Sequence, residues 1–381
     1  MAKPRSIFED VTETAKPAPK GGMIDTRPQG ARRAMQIWLG LIFALLVAMI
    51  AVGGLTRLTD SGLSITEWKP VTGAIPPLNP ADWEVEFSKY QASPQYQILN
   101  HGMDLAEFKA IFWWEWGHRQ LGRVIGLVWA LGFAGFALTR KLPVGWARRL
   151  WILGALGGLQ GAIGWWMVSS GLTGQMTSVA SYRLAVHLGL AFIILGTITW
   201  YVLQLGRREA DLLQARRSGE PRLFGMATGL MHLAFLQILL GALVAGIDAG
   251  RAFPTWPDMN GQFFPADAFY VPGRPVWAAF FENPGLVQFI HRMVGYAVFA
   301  FGIAAFLKAR RSAHPLTQQA FLVMAVMLVA QVALGIFTVL YAAPLHLGLA
   351  HQVGAVALWV LIIRARFNAR YPIVQSIRRT K

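Results

Sequence analysis

Four of the chain's eight histidines occupy matching places in an internal repeat. Imidazole is the side chain that most often holds a metal. The first half reads WEWGHRQLGRVIG at residues 114–126 and the second reads VQFIHRMVGYAVF at 287–299. His118-Arg119 with Gly122 therefore recurs as His291-Arg292 with Gly295. Further on, Gln160 and Gly164 are matched by Gln331 and Gly335, and VHLGLAF around His187 answers AHQVGAV around His351. His118 precedes Gln160 by 42 residues and His291 precedes Gln331 by 40, whereas the steps from Gln160 to His187 and from Gln331 to His351 are 27 and 20. The difference fits a shorter loop before the last helix.

All four lie in long apolar runs, where an ionisable side chain is costly and faces a bundle interior or a functional site. Two imidazoles at similar depth on neighbouring helices can serve as the axial ligands of one heme iron, and a bundle core has room for a flat apolar macrocycle. A lone intramembrane histidine is usually a hydrogen-bonded helix contact, but four placed by repeat symmetry point to heme or metal ligation. The chain has no cysteine, which excludes disulfides, thiolate metal sites, iron–sulfur clusters and thioether-linked heme. Of the others, His346 competes with His351 but sits nearer the membrane edge. His101 and His314 are expected to be solvated in loops, and His232 to be structural.

The halves differ beside these histidines. Glu115 stands three residues before His118, on the same helix face, and its counterpart before His291 is Gln288. A carboxylate in one half and an amide in the other suggest a division of labour: proton handling or substrate binding in the first, a redox heme in the second. Alternatively, Glu115 simply favours a helix N-terminus. Trp113, Trp114 and Trp116 predict an apolar setting for it. Arg119 and Arg292 either pair with heme propionates or snorkel to lipid headgroups.

The elements that must position these residues are legible from composition. Of 381 residues 55% are hydrophobic and 14% charged, against roughly 25% charged in soluble domains. Eight stretches are long and apolar enough to span a bilayer: 35–55, 121–138 (or from near 111), 146–168, 182–205, 223–247, 286–307, 320–340 and 345–363. The net charge of +16 is spread through short tracts between these runs, a topology signal rather than a nucleic-acid surface. Of 35 Lys and Arg, 25 fall on one side and seven on the other, which predicts both termini in the cytoplasm and two long outer loops, about 56–110 and 248–285. The expected architecture is all-α and polytopic, with eight transmembrane helices forming two four-helix bundles related by a pseudo-twofold axis. In domain terms this is a disordered tail at 1–33, a first bundle at 34–206, a linker at 207–222, a second bundle at 223–366 and a basic tail at 367–381.

The outer stretch GGLTRLTDSGLSITEWKPVTGAIPP (53–77), followed by WEVEFSKYQASPQY (83–96), resembles the heme A synthase family, as do EWGHRQLGR (115–123) and AHQ (350–352). The resemblance covers almost the whole chain after the tail. It implies a multi-pass enzyme of the bacterial inner membrane that oxidises the C8 methyl of heme O to a formyl group, giving heme A for cytochrome c oxidase. By motif, His291 and His351 would ligate a resident heme b, His118 and His187 would face or ligate the substrate heme O, and Glu115 would matter for turnover. Arg119 and Arg292 would sit at the heme edge. Heme O synthase, oxidase assembly factors, membrane lipid and a second copy of the chain are the partners to expect, and nucleic acid is not. Some members carry a cysteine pair in the first outer loop; its absence here removes any thiol mechanism. Pro70, Pro76, Pro77 and Pro80 stiffen that loop, and Trp68, Trp83, Phe87 and Tyr90 would form an apolar cover. The competing readings are a diheme b-type electron-transfer cytochrome or quinol dehydrogenase, with all four histidines as permanent ligands, and a heme carrier without catalysis.

Overall fold

The computed structural model describes residues 29–373, which contain thirteen α-helices and no strand. Eight are long and apolar enough to cross a membrane. They are α1 (Gln29–Leu58), α4 (Leu105–Leu138), α5 (Trp146–Gly171), α6 (Ser181–Leu205), α8 (Pro221–Gly246), α11 (Pro284–Ala309), α12 (Pro315–Leu340) and α13 (Leu345–Arg370). Five shorter ones are α2 (Pro80–Gln91), α3 (Pro94–Ile98), α7 (Glu209–Arg217), α9 (Ala249–Ala252) and α10 (Ala279–Glu282).

Local chemistry sets the ends. Pro221, Pro284 and Pro315 stand at helix starts, where a missing N–H costs nothing. Asn283 caps α11 by accepting from the Leu286 N–H at 2.8 Å. The expected tail ends early, because residues 29–33 already belong to α1; residues 1–28 and 374–381 lie outside the described residues. At the other terminus α13 runs to Arg370, beyond the expected start of the basic tail, and the expected 207–222 linker contains α7.

The largest departure is α4, which begins at Leu105 rather than near 111 or 121. A capping box starts it: Asp104 accepts from the Glu107 N–H at 2.8 Å, and Glu107 accepts from the Asp104 N–H at 3.0 Å. Its 34 residues make a rod of about 51 Å, longer than the ~30 Å of a bilayer core. The projecting turns carry Phe108 and Phe112, which pack with Trp83, Phe87 and Tyr90 of α2 into a satellite core. Three of the four expected cover aromatics therefore form a platform on α4. Trp68 goes elsewhere, half-exposed and 5.4 Å from the Trp165 ring.

Helix neighbours follow one pattern in both halves. α1 packs on α4 and α6, α4 on α5, and α5 on α6; likewise α8 packs on α11 and α13, α11 on α12, and α12 on α13. The four-helix sets meet through α6 on α8, α1 on α13 and α6 on α13. The main core, including Leu39, Ile42, Leu195, Ile198, Leu230 and Ile362, lies along these inner helices. Large apolar side chains such as Leu127, Leu131, Val326 and Phe337 are exposed on the outer helices, as a lipid-facing belt requires. Two indoles stitch helices together where glycine opens a backbone. Trp38 Nε1 donates to Val128 O at 3.0 Å beside Gly132, and Trp359 Nε1 donates to Phe192 O at 3.0 Å beside Gly196. The second joins the two four-helix sets.

Candidate functional site

Each repeat histidine rests against a glycine of the neighbouring helix. A Cβ added at Gly53 would stand 3.0 Å from His118 Nε2, and one at Gly164 3.0 Å from His187 Cε1. In the second half, a Cβ at Gly241 would stand 3.2 Å from His291 Cε1, and one at Gly335 3.0 Å from His351 Cε1. Only glycine admits the rings this close. His118 on α4 and His187 on α6 belong to one four-helix set, and His291 on α11 and His351 on α13 to the other, so each set carries two of the histidines.

Three of the four are also held by glutamine. Gln160, Gln237 and Gln331 donate through Nε2 to the backbone carbonyls of His187, His291 and His351 at 3.0, 2.9 and 2.8 Å. The same nitrogens lie 3.3, 3.2 and 3.2 Å from ring nitrogens of those histidines. The Oε1 atoms of all three glutamines are buried without a partner, as is His291 Nδ1. Buried polar atoms are normally satisfied, so this cluster of orphans marks where a further group belongs. A ligating imidazole donates its second N–H to an acceptor, and the three amides that lie 3.2–3.3 Å from ring nitrogens through Nε2 each carry an unspent oxygen. Paired imidazoles, glycine-cleared space and spare acceptors fit heme ligation. Among the described residues no cluster of three or more His, Cys, Asp or Glu side chains forms a protein-only metal site.

Glu115 is buried, but its setting is polar rather than the apolar one expected from its tryptophans. Trp113 and Trp114 are exposed, and the carboxylate is saturated. Oε2 accepts from Ser64 Oγ and from the Ile65 N–H, both at 2.8 Å, and Oε1 accepts from Arg119 Nη2 at 2.6 Å and Nε at 3.1 Å. Arg119 also donates to the carbonyls of Glu67 at 2.8 Å and Ile65 at 2.7 Å. The second half copies this clasp: Arg292 donates to the carbonyls of Asp258, Phe253 and Thr255 and, at 3.3 Å, to Gln288 Oε1. Both arginines thus pin an interhelical loop over the helix that carries the histidine. Arg119 donates through Nε, Nη1 and Nη2 to loop carbonyls and Glu115, and Arg292 through Nη1 and Nη2 to loop carbonyls and Gln288.

Outside the membrane, Glu67 bridges Lys69 at 2.6 Å and Lys89 at 2.8 Å, and these ammonium groups hold its carboxyl below the usual range. Arg57 joins Asp60 at 2.7 Å to Asp248 at 2.9 Å, tying the α1–α4 connection to the α8–α11 connection. His346 is exposed at a cleft with Phe337 and Tyr341, without the glycine and glutamine that surround His351. His232 is exposed on α8. His314 is not simply solvated: its ring lies 3.2 Å from Ser218 O, linking the α7–α8 connection to the start of α12.

Sequence reading missed Gly53, Gly241, Gln237 and Met49. A signal existed. Gln-x-x-x-Gly occurs at 160–164, 237–241 and 331–335, and the fourth repeat position reads Met49-x-x-x-Gly53.

Residues 36–363 match the family described as cytochrome oxidase assembly protein, COX15-CtaA. The chain is 62% identical over 378 residues to a protein named heme A synthase from Paracoccus denitrificans (strain Pd 1222), covering 99% of each. It is 61% identical to one of the same name from Ruegeria sp. (strain TM1040), over 98% of this chain and 99% of the relative. A third, from Roseobacter denitrificans (strain ATCC 33942 / OCh 114), is 58% identical over the full length of both.

Proposed function

The chain belongs to the COX15-CtaA family, and from that premise we propose that it is a heme A synthase, oxidising the C8 methyl of heme O to a formyl group. The observation that carries this reading is the paired-histidine geometry with its one-sided chemistry. Both halves present two imidazoles on glycine-cleared helix faces, but only the first sets a carboxylate, Glu115, one turn from a histidine. A symmetric electron-transfer cytochrome has no use for that difference.

In this reading His291 and His351 hold a resident heme b, which when bound supplies one-electron transfer. His118 and His187 receive heme O. Turning a methyl into an aldehyde is a four-electron oxidation that also releases protons. Glu115 accepts protons near the site, with the Ser64 hydroxyl 2.8 Å away linking it to the outer loop, and Gln288 cannot do this. Arg119 and Arg292 act through the loops that they pin over the helices carrying His118 and His291. The two four-helix sets are taken as pseudo-twofold related, which their matching helix neighbours support. The arginine-rich turns opposite the long loops support cytoplasmic termini in the inner membrane. Heme O synthase and oxidase assembly factors are the partners that would deliver substrate and take product.

The test is heme extraction and chromatography from membranes of a heme-O-producing host with and without the chain. Heme A, or its hydroxylated precursor, is the expected product. Unchanged heme O beside bound heme B, in folded protein supplied with electron donors and acceptors, would overturn the enzyme reading in favour of the diheme cytochrome.

A further inference from the structure

One histidine of the four has no glutamine. Gln237 lies four residues before Gly241, the glycine under His291, and four residues before Gly53, the glycine under His118, stands Met49. The two occupy equivalent space. Gln237 Nε2 would lie 3.1 Å from a Cβ on Gly295, four residues after His291, and Met49 Cε 3.4 Å from one on Gly122, four residues after His118. Among the described residues no hydrogen bond reaches the His118 ring, whereas the other three histidines each lie beside a glutamine amide.

The physical difference is large. A glutamine amide offers two donors and an acceptor, so it can tie a histidine's backbone and take the N–H of a ligating ring at once. That second bond fixes ring orientation and raises ligand basicity. A methionine thioether fills the same volume but is flexible and only a weak acceptor. Gln237 Oε1 is buried and unpartnered on an amide whose Nε2 lies 3.2 Å from His291 Nε2, so the side chain carries an unspent acceptor next to the ring; at Met49 there is no such atom.

We propose that Gln237 is a positioning residue that makes His291 a permanent heme ligand, and that Met49 leaves His118 untied so that the first site can release its heme after turnover. Release begins at His118, while His187 stays held by Gln160. This rests on the heme A synthase reading for the identity of the exchanged heme, but the asymmetry itself does not.

The experiment uses the full-length protein purified from a heme-O-producing host, with M49Q, Q237M and Q237E. Heme O plus heme A per chain should rise in M49Q by roughly three- to tenfold, the span one net hydrogen bond supplies, with slower turnover. The heme B content and midpoint potential of M49Q should match wild type. The resident midpoint potential should rise in Q237M, which lacks the acceptor, and fall in Q237E, which strengthens it; a merely structural role for Gln237 would not give opposite signs. The proposal is overturned if M49Q retains no more heme O and heme A than wild type, or if the two Gln237 variants leave the potential unchanged or move it the same way. Should wild type yield no heme A, the enzyme reading fails alone, because heme retention and potential are read without turnover.

Discussion

Arg119 reaches back one helical turn to Glu115 at 2.6 Å, and the same guanidinium grips the carbonyls of Ile65 and Glu67. Glu115 therefore stands both one turn before a histidine and at the root of the long loop between α1 and α4. The two roles separate by substitution. Glu115→Gln copies Gln288, which sits beside Arg292 without a charge. It should keep the fold and the resident heme while cutting product formation at least tenfold, as loss of a proton acceptor does. Glu115→Ala strands Arg119 in a buried site and should cost about 3–5 kcal/mol. Thermal unfolding followed by the resident heme spectrum, beside product chromatography, distinguishes them. Equal stability losses in both variants would make Glu115 a structural anchor only.

The histidines divide by half. His291→Ala or His351→Ala should abolish the low-spin spectrum of the resident heme. His118→Ala or His187→Ala should keep most of it and stop heme A formation. If His118→Ala strips the resident heme and His291→Ala spares it, the halves are assigned backwards.

Glycines under the rings give a graded probe. A methyl at Gly335 or Gly164 would stand 3.0 Å from the imidazole of His351 or His187. Overpacking at such sites costs about 1–3 kcal/mol. Gly335→Ala should broaden or shift the resident heme spectrum, and Gly164→Ala should leave it intact but raise the apparent KM for heme O. Identical effects on the spectrum would mean that the two sites are not independent.

Acid should loosen the loop between α1 and α4. Lys69 and Lys89 hold Glu67 below the usual carboxylate range, so the ionised form is favoured in the folded loop. A depressed folded value stabilises above the unfolded pKa of about 4.3 and loses that contribution as pH falls through the lower one. Hydrogen-exchange protection of residues 60–96, taken relative to the intrinsic exchange rate at each pH, should therefore hold from neutral pH to about 5 and drop below about 4. In Glu67→Gln the acid step should disappear. Glu67 is only partly buried and lies in the loop, so the effect is confined there and the resident heme should not respond.

Helix number, the internal repeat, the four histidines and the Glu115/Gln288 difference were all legible in the chain itself. The physical reason is that bilayer spans require long apolar runs, and an ionisable residue inside one stands out against them. Helix ends were legible where proline or a cap marked them, but not at α4, whose first turns leave the membrane and read as an aromatic loop until Trp83, Phe87 and Tyr90 are seen packed on them. The local sequence around Glu115 was misleading: Trp113 and Trp114 are exposed, and its partners Ser64 and Ile65 lie about fifty residues upstream. Hydropathy carries no trace of such a pairing. Likewise, which glycine underlies which ring, and that Met49 stands where Gln237 does, depends on helix–helix register. Close packing in three dimensions sets that register, whereas the period of a single helix records only which face is apolar.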